Sequence, residues 1–184
     1  CALPIFEYIM DEKDRRLNTN DLEKGKNFFK YRYISQNLNS QYIKSSINSN
    51  SISKTTMMHA PDDKLVIKYK ALFLQKLEKA IFLFNLRKYE DSYKYLVDSK
   101  IIYDPEEFAE MLLVFKGYDK YNIGEFLSKE KIPNSGYIIL QSYMKKINFT
   151  GKGFLVSLRF LLSKLNLPKD SILILRILDE FSKT

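Results

Sequence analysis

After Pro61-Asp62-Asp63, hydrophobic positions recur at steps of three and four. Leu65, Tyr69, Leu72, Phe73, Leu77, Ala80, Ile81 and Phe84 share one helical face, predicting a long amphipathic helix that Asp62 or Asp63 caps and Asn85 ends. A short second helix follows, opened by Glu90 or Asp91 and turning Tyr93, Leu96 and Val97 inward. Asp104-Pro105-Glu106-Glu107 reads as a cap, a first-turn proline and two carboxylates that suit the positive end of a helix dipole. Phe108, Met111, Leu112 and Phe115 then line one face, with Gly117 as the stop. A fourth helix presents Ile123, Phe126 and Leu127 and closes near Pro133. The fifth starts at Asn134 or Ser135 and carries Ile138, Ile139, Tyr143 and Met144. Phe154, Leu155, Leu158, Leu161, Leu162 and Leu165 give the sixth a wide apolar face, and Pro168 opens a seventh, from Lys169 to Phe181. Connections of about two to eight residues favour antiparallel neighbours in a bundle or a stacked superhelix, and no strand is needed.

The amino-terminal part reads differently. Ile5, Phe6, Tyr8, Ile9 and Met10 followed by Asp11-Glu12-Lys13-Asp14-Arg15-Arg16 suggest a short helix with an apolar edge and a solvated end. From Ser35 to Ser53, thirteen of nineteen residues are Ser, Asn or Gln, a composition short of the apolar area that offsets chain ordering, so a linker or expanded loop is expected there. The expected organisation is an extension over residues 1–60, flexible and partly disordered at 35–53, and a helical domain over 61–184. The Cys-Ala-Leu-Pro start has no charged n-region before an apolar stretch, so it reads as part of a longer protein and not as a signal peptide.

Composition narrows the function classes. The net charge of +8 suits acidic partners such as anionic membrane surfaces, phosphate-bearing ligands or nucleic acid. One cysteine in 184 residues cannot form an internal disulfide, and no run of eighteen apolar residues is present, so an aqueous, reducing compartment is expected. There is no glycine-rich phosphate loop, no paired cysteine and no His-Glu helix motif, and His59 is the only histidine, without a cysteine beside it. Conventional bond-making chemistry, a metal site and a cofactor are therefore not expected. Lys64, Lys68, Lys70, Lys76 and Lys79 are spread along the long helix as its wet face, looser than the tight clusters of lipid-binding segments. Tyr118, Tyr121, Tyr137 and Tyr143 read as core-edge aromatics, because no continuous basic stripe interleaves them into a nucleic-acid platform. No nucleic-acid partner is expected.

A set of short motifs, in order, carries a resemblance. These are Phe84-Asn85, Asp104-Pro105-Glu106-Glu107-Phe108-Ala109, Gly117-Tyr118-Asp119-Lys120-Tyr121-Asn122-Ile123-Gly124-Glu125-Phe126-Leu127 and Asn148-Phe149-Thr150-Gly151. Ser157-Leu158-Arg159-Phe160-Leu161, Leu165-Asn166-Leu167-Pro168-Lys169-Asp170 and Ile174-Leu175-Arg176-Ile177-Leu178-Asp179-Glu180-Phe181 complete it. Over roughly residues 64–184 the chain resembles the first seven helices of the Sec-seven homology domain, the catalytic module of guanine-nucleotide exchange factors for Arf-family small GTPases. The resemblance implies an all-α fold, a right-handed superhelix of stacked antiparallel helices, of which this stretch is the N-terminal part.

It also implies a site. In the family the loop between the sixth and seventh helices reads Leu-Pro-Gly-Glu-Ala-Gln, and its Glu is the catalytic finger; here Leu167-Pro168-Lys169-Asp170-Ser171-Ile172 occupies that stretch, so the acid falls on Asp170, one methylene shorter. Leu167, Pro168, Lys169 and Ser171 would shape the loop that enters the GTPase. The implied partner is a GDP-bound Arf-family GTPase, with cytoplasmic location and peripheral contact with Golgi or endosomal membranes, in vesicle trafficking. Arg159 and Arg176 match family arginines, and Glu180 or Asp179 is the expected partner of Arg176. Gly124, inside a helix where glycine costs about 1 kcal/mol, reads as a site of close packing. Without the resemblance, Asn166 or Leu167 as cap, Pro168 at the first helical position and Asp170 in the first turn make an ordinary helix start. A second functional reading therefore stands beside the first: a helical scaffold or degenerate relative that binds proteins through its apolar seventh helix without exchange activity.

Overall fold

A computed structural model describes residues 19–48, 63–129 and 136–184, with the side chains of the first stretch described over 23–40. The expected N-terminal helix within residues 1–16 and His59 lie outside the described residues, while the fourth helix ends at Ser128 and not near Pro133, its cap Lys129 bonding from N–H to the Phe126 carbonyl. The chain is all-α, and among the described residues there is no strand. Its helices are α1 (Thr19–Asn48), α2 (Asp63–Asn85), α3 (Tyr89–Asp98), α4 (Pro105–Val114), α5 (Lys120–Ser128), α6 (Gly136–Lys146), α7 (Phe154–Lys164) and α8 (Ser171–Ser182). Helices α2 to α8 are the seven that the hydrophobic pattern predicts.

The ends follow local chemistry. Asp104 caps α4 by accepting from the Glu107 N–H at 2.8 Å, and Asp119 caps α5 by accepting from the Asn122 N–H at 2.9 Å. Helix α2 ends in a Schellman turn, with Lys88 N–H bonded to the Leu83 carbonyl at 3.0 Å and Arg87 N–H to that of Phe84 at 2.8 Å. Helix α4 stops at Val114, before the expected Gly117, because Phe115 turns extended and sends its ring into the core, 6.3 Å from those of Phe29 and Phe73. Gly117 serves close approach instead: a Cβ there would lie 2.9 Å from Ile81 Cδ1.

The core is centred on Phe84. Its ring meets those of Tyr89 at 4.8 Å, Tyr118 at 5.1 Å, Phe126 at 5.5 Å and Phe108 at 6.2 Å, all edge-to-face, the arrangement aromatic quadrupoles favour. One side chain from each of α2, α3, α4 and α5, and one from the α4–α5 connection, thus meet at a single point. Helix α6 packs along α4, and α8 against α5 and α6.

Helix α1 corrects the expectation of a linker over residues 35–48, since it continues to Asn48; residues 49–53 of that stretch lie outside the described residues. Burial outweighs composition: Phe29, Tyr33, Ile34 and Leu38 are buried, docking α1 on α2 and α4. Ser35, Asn37 and Ser40 satisfy their donors on the helix itself, each bonding to the carbonyl four residues earlier at 2.7 to 2.8 Å, which accommodates them without driving the helix. Arg32 fastens this layer, pairing both guanidinium nitrogens Nη1 and Nη2 with the Glu107 carboxylate and donating from Nη2 to the Ile101 carbonyl at 2.6 Å.

Candidate functional site: the α7–α8 connection

The segment between α7 and α8 has an anchored root and an exposed tip. Leu165 leaves α7 in extended conformation with its side chain buried, and the Asn166 N–H crosses to the Lys120 carbonyl in the first turn of α5 at 3.0 Å. Leu167 packs half-buried against the core and Pro168 is buried. Lys169, Asp170 and Ser171 then turn outward and are exposed. Leu167, Pro168, Lys169, Asp170 and Ser171 are therefore contiguous in one projecting loop, its root fixed by α5.

The start of α8 differs from the plain helix start expected from sequence. The helix begins at Ser171, with Asp170 as its N-cap and Pro168 held back in the root. Asp170 takes extended backbone angles (φ −82°, ψ 128°), and its Oδ1 accepts from the Ile172 N–H at 2.8 Å. As the cap, the carboxylate sits at the N-terminal, positive end of the α8 dipole. The bond to Ile172 engages Oδ1. The arrangement can present a fixed negative charge to an approaching molecule without moving the backbone.

Next to the tip, Ile172 and Leu175 on α8 are 73% and 65% exposed and Leu162 near the end of α7 is open to solvent; Phe154, Leu155 and Val156 are exposed too, at the far end of α7, where Phe154 packs on Phe181. Soluble domains rarely leave so many large apolar side chains uncovered unless they meet a partner or another layer. A cleft of about 890 Å³ lies at the opposite end of α8, bordered by Phe149, Lys152, Phe181 and Thr184, away from Asp170.

Of the other singled-out residues, Arg176 and Glu125 tie elements together. Arg176 reaches from α8 to α5 and donates to the Ser128 carbonyl at 3.4 Å, while Glu180 is buried and receives Lys183 at 3.3 Å. Arg159 is exposed. Glu125 of α5 joins three elements: it accepts from Lys129 at the C-cap of α5, from the Tyr89 hydroxyl at 3.1 Å in α3, and lies 3.6 Å from Arg87 Nε in the turn between α2 and α3. The Lys129 ammonium, helped by the Tyr89 hydroxyl and the charge of Arg87, holds the Glu125 carboxyl below the usual range, while burial deepens the Tyr89 phenol's preference for its neutral form. Among the described residues no three His, Cys, Asp or Glu side chains are grouped to hold a metal ion, and no helix is long and apolar enough to cross a membrane.

Sequence reasoning missed the node that fixes the start of α5. Asn85, at the end of α2, donates from Nδ2 to the Gly117 carbonyl at 2.9 Å, accepts from the Asp119 N–H at 2.9 Å, and its own carbonyl accepts from Asn122 Nδ2 at 3.0 Å. The signal available was Asn85 and Asp119 standing next to apolar runs; only their meeting in space gives them this role.

The Sec7 domain family model matches residues 74–184, which contain the whole α7–α8 connection. The chain is 28% identical over 122 residues to Brefeldin A-inhibited guanine nucleotide-exchange protein 2 of Arabidopsis thaliana, covering 66% of this chain and 7% of that protein. It is 25% identical over 132 residues to Brefeldin A-inhibited guanine nucleotide-exchange protein 3 of the same plant, covering 71% of this chain and again 7% of the relative. The crystal structure of the Sec7p catalytic domain superposes with a TM-score of 0.53 at 25% identity, over 58% of this chain and 59% of that one. Motif order, helix order and the matched span, more than half of the chain, agree: it belongs to the Sec7 domain family.

Proposed function

We propose that this protein promotes release of GDP from an Arf-family small GTPase, with the carboxylate of Asp170 as the acidic finger. The observation that carries the reading is the exposed, capped carboxylate of Asp170 at the tip of a loop whose root is buried, inside the span matched by the family. A small GTPase grips its nucleotide through Mg²⁺ and through N–H groups and a lysine around the β-phosphate. A negative charge brought about 4 Å from that phosphate is repelled by roughly 4 kcal/mol at an effective dielectric of 20, of the order of a thousandfold in rate. It also competes for the lysine and disfavours the Mg²⁺. No bond is made or broken, so the factor speeds release without choosing which nucleotide rebinds.

Leu167 and Pro168 hold the root, and Lys169 and Ser171 flank the charge and would meet the GTPase surface. The uncovered faces of α7 and α8 suit the apolar contacts that such a partner, or a second helical block of the family domain, would make. Action on vesicle-trafficking GTPases at Golgi or endosomal membranes, by peripheral contact from the cytoplasm, belongs to the same proposal. A non-catalytic scaffold is the second reading, favoured by the exposure of Ile172 and Leu175, which serves protein binding with or without a working finger.

Release of fluorescent GDP from an Arf GTPase, driven by the protein at full natural length, separates the two. Asp170→Asn removes the charge and keeps a good cap. Exchange is expected to fall to the intrinsic rate with the melting temperature unchanged. Equal rates for wild type, Asp170→Asn and Asp170→Lys would refute the finger.

A further inference from the structure

The backbone of Asn166 is held at two points by α5. Its N–H is tethered to the Lys120 carbonyl at 3.0 Å, and its own carbonyl oxygen lies on Gly124, where a Cβ would stand only 1.8 Å away. The clash would be with backbone, which cannot swing aside as a side chain can. To reach even the 3.0 Å that real Cβ contacts essentially never fall below, the strand of loop would have to withdraw by about 1.2 Å. Asn166 is four residues from Asp170, and between them Leu167 is half-buried and Pro168 buried, with its φ fixed by the ring. A shift at Asn166 is therefore carried to the tip and not absorbed on the way.

The first turn of α5 is itself located from behind. Asn85 bonds to Gly117 and Asp119, and Asp119 caps the helix. A line of contacts thus runs from the end of α2, through the cap of α5, to Gly124 and the loop. From this geometry we infer that Gly124 is a positioning residue: its missing side chain sets the height of the α7–α8 loop over α5 and so the reach of Asp170. Glycine inside a helix normally weakens it relative to alanine. Here the loop's approach outweighs that preference. The inference deepens the exchange reading and rests on it for the consequence in rate, but not for the placement of the loop.

The test uses the full-length protein and two readouts. Amide hydrogen exchange reads placement directly. The Asn166 amide of the wild type is expected to be protected by at least about tenfold over free peptide, and Gly124→Ala is expected to raise exchange across 165–170 by roughly tenfold, leaving α2 to α4 unchanged. Exchange on an Arf GTPase reads the consequence. A displacement of this size is expected to lower the maximal rate of GDP release by roughly 10- to 100-fold, with the half-saturating concentration moved less than about threefold. Unprotected Asn166 in the wild type, or wild-type protection of the loop in Gly124→Ala, overturns the inference. A loosened loop together with full activity in Asp170→Asn refutes the finger and leaves the placement standing. Should Gly124→Ala not fold, the wild-type protection of Asn166 decides the placement alone.

Discussion

Replacing Arg32 with methionine removes the clamp between α1 and the rest of the stack while keeping an apolar stem of similar length. The guanidinium lies within 4.8 to 5.5 Å of the rings of Tyr103, Phe28 and Phe29, contacts that a methionine retains in part. Lost are the two-pronged pair with Glu107 and the donor to the Ile101 carbonyl. Glu107 keeps the Tyr103 N–H at 2.8 Å as a partner. The two side chains are 19% and 17% exposed, between surface and interior. Surface pairs contribute about 0–1 kcal/mol and breaking a buried one costs about 3–5 kcal/mol, so Arg32→Met should destabilise by about 2–3 kcal/mol. Urea unfolding at neutral pH, followed by far-ultraviolet circular dichroism, measures it, and limited proteolysis over residues 23–40 should show earlier cutting in the variant. The double change Arg32→Met/Glu107→Leu should recover part of the loss, giving a coupling of at least about 1 kcal/mol. A single variant within about 0.5 kcal/mol of wild type, with unaltered proteolysis, would show that α1 is held by its apolar stripe alone.

Two further outcomes can be checked on the same material. Among the described residues the hydroxyls of Tyr118 and Tyr143 are buried without a hydrogen-bond partner, so Tyr118→Phe and Tyr143→Phe should each be neutral or stabilising by up to about 1 kcal/mol in thermal melts, and a loss above that would reveal a partner such as a buried water. Glu125 has its folded pKa below the unfolded value, so its stabilising contribution is full above the unfolded carboxyl pKa, about 4.3, and disappears as pH falls through the folded value. Glu125→Gln should therefore melt below wild type at pH 7, with the gap closing below about pH 4; a gap constant from pH 7 to pH 3 would contradict the assigned partners.

The hydrophobic period determined the helical class and the order of α2 to α8, and cap residues fixed some of their ends. A helix that buries one face needs apolar residues every third or fourth position whatever it packs against, and caps such as Asp104 and Asp119 act within three residues of sequence. The candidate loop was legible as well, through motif order, because residues 165–170 lie together in the chain. Three features were not. Helix α1 looked like a linker because its burial rests on four apolar residues among many polar ones, and their worth depends on surfaces of α2 and α4 far away in sequence. Asp170 became a cap instead of a first-turn residue because Pro168 is drawn into the core. Gly124 was readable as a close contact, but that it carries the loop bearing Asp170 depends on α5 and residue 166 being brought together across more than forty residues of chain. Periodicity records which side of an element is dry; which backbone rests on which is decided only when the elements pack.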